Sequence, residues 1–302
     1  MKNKLVSILM PAYKAASFIE QTLESVKSQT YSNWELIVVE DGTNDGTKLI
    51  VEKFKASVDQ NVIYFRNKVN KGVSATRNLA ATMTKGNWYA FLDSDDIWHK
   101  DHLLTLMTTA LENPEGEFIY STHIKFYDSI EKDQLVIDIS DKLKNPPFLS
   151  KNLPTALFNG YMIQPSAVML TSKIFDTVNG FNENFRYVED LNFFFRILVR
   201  GNKFVYTRKS TSYYKQNPNG LTTNSIPMAH ATAKVREDVL GWNWNEIDKK
   251  TMLKKTSEAW FLTARLSRTS DIKLAKYAIK KALKHRFNLK TLFFLILIYS
   301  RL

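Results

Sequence analysis

The sequence predicts an α/β chain: an open, mainly parallel sheet flanked by helices, with a helical extension at its C-terminal end. Three observations carry this. Short apolar runs at 6–10 (VSILM), 36–39 (LIVV), 62–65 (VIYF) and 88–92 (WYAFL) are rich in β-branched and aromatic residues, as strands buried on both faces require. Helical patterns separate them, so the order β-α-β-α-β-α-β implies right-handed crossovers. After Pro227 the chain reads helical throughout.

Each element has its own local reason. Phe18, Ile19, Thr22, Leu23 and Val26 recur at helical spacing, with Ser17 expected as N-cap and Glu20 at the third helical position. Thr43-Asn44-Asp45-Gly46 opens a second helix, and 74–83 reads as a third. A helix over 101–112 ends at Asn113-Pro114, a strand covers 118–120, and Asn145-Pro146-Pro147 marks a loop. Residues 167–170 read as a further strand, and 193–199 lie on a helix that begins through Glu189-Asp190.

Composition bounds the chemistry. The 302 residues are 44% apolar with 19 Phe and 13 Tyr, enough for a large core. Cys is absent, which removes disulfides, thiolate metal sites and a Cys nucleophile, and fits a reducing compartment. The N-terminal run of six apolar residues is shorter than a signal-peptide core, and no run reaches a membrane span, so an intracellular globular protein is expected. The net charge of +12 is uneven: residues 251–302 hold twelve Lys/Arg against Glu258 and Asp271, or +10. A basic tail on a nearly neutral body points to an anionic partner for the tail.

The polar residues collect at one sheet edge. The first strand ends in Pro11-Ala12-Tyr13, the second in Glu40-Asp41-Gly42, and the fourth in Asp93-Ser94-Asp95-Asp96. Open parallel sheets bind ligands beyond the carboxyl ends of their strands. Asp41-Gly42 alone also reads as a turn before a helix, and the acidic run as a helix cap. Three acids within four residues nevertheless repel one another unless a cation is present. Oxygen-only ligation favours Mg²⁺ or Mn²⁺ over zinc. His99 and His102 are expected on the surface of the adjoining helix. No Gly-x-Gly occurs, which disfavours a dinucleotide fold, and Gly42 and Gly46 are not followed by a P-loop lysine.

Residues 6–47 (VSILMPAYKAASFIEQTLESVKSQTYSNWELIVVEDGTNDGT), NKGVSATRNLA and GNWYAFLDSDD resemble the nucleotide-sugar half of family 2 glycosyltransferases, inverting enzymes with the GT-A fold. GYMIQPSAVMLTSKIFDTVNGFNENFRYVEDLNFFFRI resembles their acceptor half, and SYYKQNPNGLTTN the loop that closes over the pyrophosphate. The resemblance covers about 5–224 and implies a catalytic domain over 1–225, divided into 1–100 for the donor and 101–225 for the acceptor, with 226–302 as a helical region.

By this resemblance Pro11 and Tyr13 flank a uracil ring, and Asp41 accepts its N3–H. Arg77 is a basic residue on the nucleotide side. Asp93 and Asp95 form the D-x-D motif, the first toward the ribose and the second holding Mn²⁺ or Mg²⁺, with Asp96 behind them. Asp190 is the general base, with Glu189 beside it; without the resemblance this pair reads equally as a helix N-terminus. Two positions depart from the family pattern. Glu40 stands where Asp is usual, and Lys215 where Arg or His is usual for the pyrophosphate contact. Tyr214 and Thr223 could serve the same loop.

The tail adds a basic amphipathic pattern. Lys273, Lys276, Lys280 and Lys284 recur every three or four residues, and an apolar run at 292–299 follows that is too short to span a membrane. The expectation is a UDP-sugar-dependent, metal-dependent transferase that extends a lipid-linked or cell-surface glycan. It would sit peripherally on the cytoplasmic face of the cell membrane through the tail, with no nucleic-acid partner. Packing of the tail against the protein is the plainer alternative. A sugar-1-phosphate nucleotidyltransferase is the enzymatic rival, though LMPAYKAASF lacks the Gly-rich loop such enzymes need. A non-catalytic lipid- or nucleic-acid-binding protein is the other.

Overall fold

The computed structural model describes residues 4–127, 153–216, 225–244 and 247–300. The Asn145-Pro146-Pro147 loop and Thr223 lie outside the described residues. The chain divides into two compact units, one from Met1–Ser150 with Met162–Gln216, the other from Lys151–Tyr161 with Asn217–Leu302.

The first unit is built on an eight-stranded sheet of order β3-β2-β1-β4-β7-β6-β8-β5. Strands β1 (Val6–Ala12), β2 (Trp34–Asp41), β3 (Val62–Asn67) and β4 (Trp88–Phe91) are parallel. Every residue of β1 and β2 is buried, which is why apolar residues do not alternate with polar ones in their central runs; the polar exceptions, Ser7, Glu35, Glu40 and Asp41, are buried too. Helices α1 (Ile19–Lys27), α2 (Thr47–Lys55) and α3 (Val73–Ala81) make the crossovers, as the alternation predicts. Helix α1 starts later than expected. Phe18, not Ser17, occupies its cap position, without a side-chain bond. The turn is held instead by Ala15 O, which accepts from Phe18 and Ile19, and by Asp45, whose carboxylate accepts from Ala16 N–H.

The other half of the sheet is mixed. β7 (Val168–Thr171) runs antiparallel to β4 and to β6 (Phe118–Phe126), and β6 pairs in parallel with β8 (Phe204–Lys215). The two-residue β5 (Ile97–Trp98) closes the edge against β8. Neither β5 nor β8 is anticipated by the sequence. Helix α4 (His102–Glu112) covers this half, and a short α6 (Ser172–Thr177) and α7 (Glu189–Leu198) follow β7. Phe193 stacks on Phe181 at 4.2 Å and meets Phe91 edge-on at 6.1 Å, so the aromatic face of α7 fixes its N-terminus over the sheet.

His99 and His102 are not on the surface: both are buried. His102 stacks on Trp98 at 4.4 Å and its Nδ1 lies 2.7 Å from Thr211 Oγ1 on β8. Burial brings its pKa down to about 3, so it is a neutral core histidine.

The second unit contains α5 (Leu153–Phe158), α8 (Ser225–Val239), α9 (Lys249–Ser267), α10 (Ile272–His285) and α11 (Leu289–Tyr299). Pro227 falls in the first turn of α8, where its missing N–H costs nothing. Ala-rich faces allow close packing of α9 and α10, with Trp260 and Ile279 in the shared core. Glu237 on α8 receives Lys281 at 3.0 Å and His285 at 2.7 Å from α10.

Candidate active site

The parallel half of the sheet delivers its carboxylates to one edge through strand register. Pro11 pairs with Val39 and Ala12 with Glu40, while Asp41 pairs with Asn67, so strands β1 to β3 end together. Pro11 is buried and Tyr13, one residue past β1, is half exposed, with the Lys14 Nζ 5.4 Å from its ring. Asp41 is buried. Its Oδ1 accepts from Asn67 Nδ2 and Lys71 N–H, each at 2.9 Å, and its Oδ2 from Gly72 N–H at 2.8 Å. Oδ2 therefore retains a lone pair for one further donor. The backbone of Gly42 at φ +74 makes this possible, because the 69–70 backbone approaches it too closely for any side chain. Glu40, the departure from the family pattern, is buried; its carboxylate accepts from Thr43 Oγ1 at 2.6 Å and from the Tyr64 hydroxyl. Burial and then that second bond push the Tyr64 hydroxyl's pKa up.

Past β4 the chain turns through Asp93-Ser94-Asp95-Asp96. Ser166, on the turn before β7, organises this run: its Oγ accepts from Asp93 N–H at 3.0 Å and donates to Asp96 Oδ2 at 2.5 Å. Asp96 Oδ1 also accepts from the Lys215 N–H at 2.9 Å. Burial, then Asp95 and Asp93, hold the Asp96 carboxyl well above the usual range despite these bonds. Lys215 is the last residue of β8, so the missed strand brings it to the acidic run; its Nζ stands 5.3 Å from the Phe18 ring. Tyr214 packs edge-on against His123 at 5.6 Å.

Arg77 lies on the buried face of α3, and both terminal nitrogens of its guanidinium are committed. It donates to Asp93 Oδ1 at 2.6 Å and to Glu189 Oε1 at 2.9 Å, and lies 5.1 Å from the Phe181 ring. One cation thus joins the D-x-D turn to the start of α7, across 112 residues of sequence. Asp190 follows Glu189 and is half-buried, its Oδ1 accepting from Leu191 N–H at 2.7 Å. Burial and then Glu189 raise its pKa, the Leu191 N–H and Arg77 lower it, and it comes to about 7. A carboxylate at that value is matched to taking a proton near neutral pH. The residue before this pair, Val188, sits at φ 51, an unusual conformation for a β-branched residue.

Asp95 is the member of the run left open. Among the described residues its side chain receives its own backbone N–H alone; burial and the charge of Asp93 raise its pKa to about 6, while Lys215 pulls it down. An uncompensated oxygen donor beside a second carboxylate suits a hard divalent cation. Among the described residues no three His, Cys, Asp or Glu side chains form a ready-made ion cage. The fit is therefore to a cation held by one protein carboxylate and completed by phosphate oxygens and water, the usual pattern for Mg²⁺-type sites.

The sequence reading missed three contributors: Ser166, Asn67 and the Lys71-Gly72 amides. The first was legible only as part of the QPSAVML run.

A family model described as Glycosyl transferase family 2 matches residues 7–178. The chain belongs to this family. It is a glycosyltransferase with a GT-A-like fold, as the motifs led one to expect. It is 30% identical over 225 residues to UDP-Glc:alpha-D-GlcNAc-diphosphoundecaprenol beta-1,3-glucosyltransferase WfaP of Escherichia coli, a match covering 74% of this chain and 82% of that protein. A second Escherichia coli enzyme of the same described activity, WfgD, is 38% identical over 123 residues, spanning 41% of this chain and 47% of the relative. Among solved structures, S. aureus TarS 1-349 in complex with UDP-GlcNAc superposes with a TM-score of 0.72 at 18% identity, over 93% of this chain and 81% of that one. The mannosyltransferase PcManGT from Pyrobaculum calidifontis, in complex with GDP-Man and Mn²⁺, gives a TM-score of 0.62 at 15% identity, over 99% and 80%. At these identities the structures establish the fold alone. With the family assigned, the nucleotidyltransferase and non-catalytic alternatives fall away.

Proposed function

We propose that this glycosyltransferase moves a sugar from a UDP-sugar to a hydroxyl of a lipid-linked saccharide, with inversion and with the help of a divalent cation. The observation that carries the reading is the Arg77 bridge, which sets the donor-side Asp93 and the acceptor-side Glu189-Asp190 around one edge of the sheet. The names of WfaP and WfgD, which describe a UDP-Glc donor and a diphosphoundecaprenol-linked acceptor, support the same substrate classes. Pro11 and Tyr13 would flank the base, and the open lone pair of Asp41 would accept the uracil N3–H. Asp93 would face the ribose, and Lys215 the pyrophosphate. Arg77 would act through Asp93 rather than by its own contact. Asp95 would hold Mn²⁺ or Mg²⁺, which when bound supplies positive charge against the diphosphate.

Asp190 would take the proton of the acceptor hydroxyl. The freed oxygen forms its bond to the anomeric carbon from the face opposite the diphosphate, whose bond to that carbon breaks with its electron pair leaving on UDP. No protein nucleophile is needed, and the proton stays on Asp190. No helix among the described residues is long and apolar enough to cross a membrane. Because a lipid-linked acceptor would be presented at the membrane, the reading has the enzyme work peripherally on its cytoplasmic face.

The test is a panel of UDP-sugars with Mn²⁺ or with EDTA, scored by thermal shift and by transfer to a lipid-diphosphate-linked N-acetylglucosamine analogue. UDP should stabilise the protein more with Mn²⁺ than with EDTA, and Asp95→Ala should remove the difference. Asp190→Asn should keep donor affinity while turnover falls at least ~10²-fold, the usual size of a general-base contribution. GDP or ADP binding as tightly as UDP would overturn the donor assignment, and near-normal turnover of Asp190→Asn would move the base elsewhere.

A further inference from the structure

Helix α11 is apolar on two faces, and the second unit covers only one of them. Its sequence, LKTLFFLILIY, carries a single charge, on Lys290. Thr291, Phe294, Leu295 and Ile298 follow the i, i+3, i+4, i+7 spacing of one face; Thr291 and Ile298 are buried, and Phe294 and Leu295 pack on the α9–α10 core. Leu289, Phe293 and Ile296 form the opposite stripe and are 76%, 63% and 55% exposed. Phe287, in the turn before α11, is 66% exposed. A helix that is hydrophobic all round belongs in an apolar surrounding, so the outward stripe calls for a partner.

The chemistry around the stripe says which partner. Between 272 and 300 there are seven Lys/Arg and no Asp or Glu. Lys273, Lys280, Lys284, Arg286 and Lys290 are exposed. Lys276 and Lys280 lie 4.6 and 5.7 Å from the Tyr299 ring, so the basic face of α10 adjoins the C-terminal turn of α11. An apolar stripe set among exposed cations would repel a second copy of itself, which presents the same charges; the neighbouring Glu237 is already paired with Lys281 and His285. It matches a surface with anionic headgroups over hydrocarbon. At 11 residues, about 16 Å, α11 can lie along such a surface but not cross it.

We propose that α10 and α11 form the membrane-docking surface of this enzyme. Phe287, Leu289, Phe293 and Ile296 enter the headgroup–acyl boundary, and Lys273, Lys280, Lys284, Arg286 and Lys290 bind headgroup phosphates. This deepens the peripheral location proposed above and rests on it.

The experiment is co-sedimentation of the full chain with phosphatidylglycerol-containing vesicles and with pure phosphatidylcholine vesicles, beside UDP-sugar-dependent transfer to a soluble acceptor analogue. Binding should require phosphatidylglycerol, and raising the salt should release only part of the protein, because screening removes the charge contribution and leaves the apolar one. Lys280→Gln with Lys284→Gln should weaken binding about 30-fold, from roughly fivefold per lysine. Phe293→Ser with Ile296→Ser should weaken it about tenfold or more, while melting temperature and soluble-acceptor activity stay at wild-type values, since both side chains face outward. Unchanged vesicle binding by either double variant overturns the proposal. So does conversion of a dimer to a monomer by Phe293→Ser with Ile296→Ser while vesicle binding persists, which would make the stripe an interface between copies. Loss of UDP-sugar-dependent transfer in the unmodified chain would instead count against the proposed reaction and leave the docking result standing.

Discussion

Replacing Arg77 by Met tests whether one buried cation holds the donor and acceptor sides together. The side chain is 2% exposed and its two carboxylate partners, Asp93 and Glu189, are 29% and 13% exposed. Removing one member of a buried ion pair typically costs 3–5 kcal/mol, because the remaining charge stays behind uncompensated. Here two acids remain, but both reach some water, so the lower end, ~3 kcal/mol, applies. At about 2–4 °C per kcal/mol for a unit of this size, the melting temperature should fall by roughly 6–12 °C. A second readout separates positioning from plain stability. Arg77 lowers the pKa of Asp190, which stands at about 7. Asp190 works as a base only when ionised, so activity should rise with pH through about 7 in the unmodified enzyme. In Arg77→Met that acidic limb of kcat/KM should move to higher pH, and in Arg77→Lys, which keeps the charge, it should move less. Thermal melts and a kcat/KM profile between about pH 5.5 and 9.5 check both. A melting temperature within 2 °C of wild type, or an unmoved acidic limb in a folded Arg77→Met variant, would refute the reasoning.

Two further substitutions probe the sheet, Gly42 at the site and Glu35 at the amino ends of the strands. Gly42→Ala would place a Cβ 2.3 Å from Asn70 N and 2.5 Å from Val69 C at a φ of +74. Backbone cannot rotate aside, so stability should drop by at least ~2 kcal/mol and UDP affinity with it, as read by melting and by UDP titration. Burial alone would raise the Glu35 carboxyl, but bonds from Ser7, Lys85, Asn61 and Gly86 outweigh it and hold its pKa below the ordinary value. Such a group contributes stability above its unfolded pKa and loses it as pH falls through the folded one. Glu35→Gln should therefore cost ~2 kcal/mol at pH 7 and flatten the acid-side decline of the melting temperature, which a melt series from pH 3 to 7 would show.

What could be read from the chain divides along physical lines. Strands β1, β2 and β4 were legible because burial on both faces leaves a largely apolar run, and the edge strand β3 because its VIYF run is β-branched and aromatic although Phe65 and Arg66 are exposed; strand ends fixed where Pro11, Tyr13, Asp41 and Asp93 would gather. β8 was not, since FVYTRKSTSYYK mixes Arg, Lys, Ser and Thr, its pairing with β6 is interrupted by register shifts, and Arg208 sits at φ 59. Missing β8 also hid the burial of His102, which depends on Thr211, 109 residues away. The commitment of Arg77 to Glu189 is equally non-local, but it left a trace. Ser74, Arg77 and Ala80 share the buried face of α3, and a guanidinium on such a face requires anionic partners.

The acids of the site are balanced in two different ways, and the difference follows the division of labour proposed for them. Asp93 and Glu189 have their counter-charge within the protein, in Arg77. They form a frame that needs no ligand to stand. Asp95, Asp96 and Asp190 are held above the ordinary carboxylate range by burial and by neighbouring acids, Asp93 for Asp95, Asp95 and Asp93 for Asp96, and Glu189 for Asp190. An acid raised in this way withdraws stability as pH rises from its unfolded value through its folded one, so near neutrality the free protein carries an electrostatic cost at this edge. A cation at Asp95 would offset part of that cost, and anything that binds the folded form alone stabilises it by mass action. Asp190 lies in the half that would meet the acceptor, where a proton to be taken up, rather than a metal, would relieve the strain. The same repulsion that makes the cluster unfavourable in the free chain would thus assign its two open members to different partners, Asp95 to the donor's cation and Asp190 to the acceptor's proton.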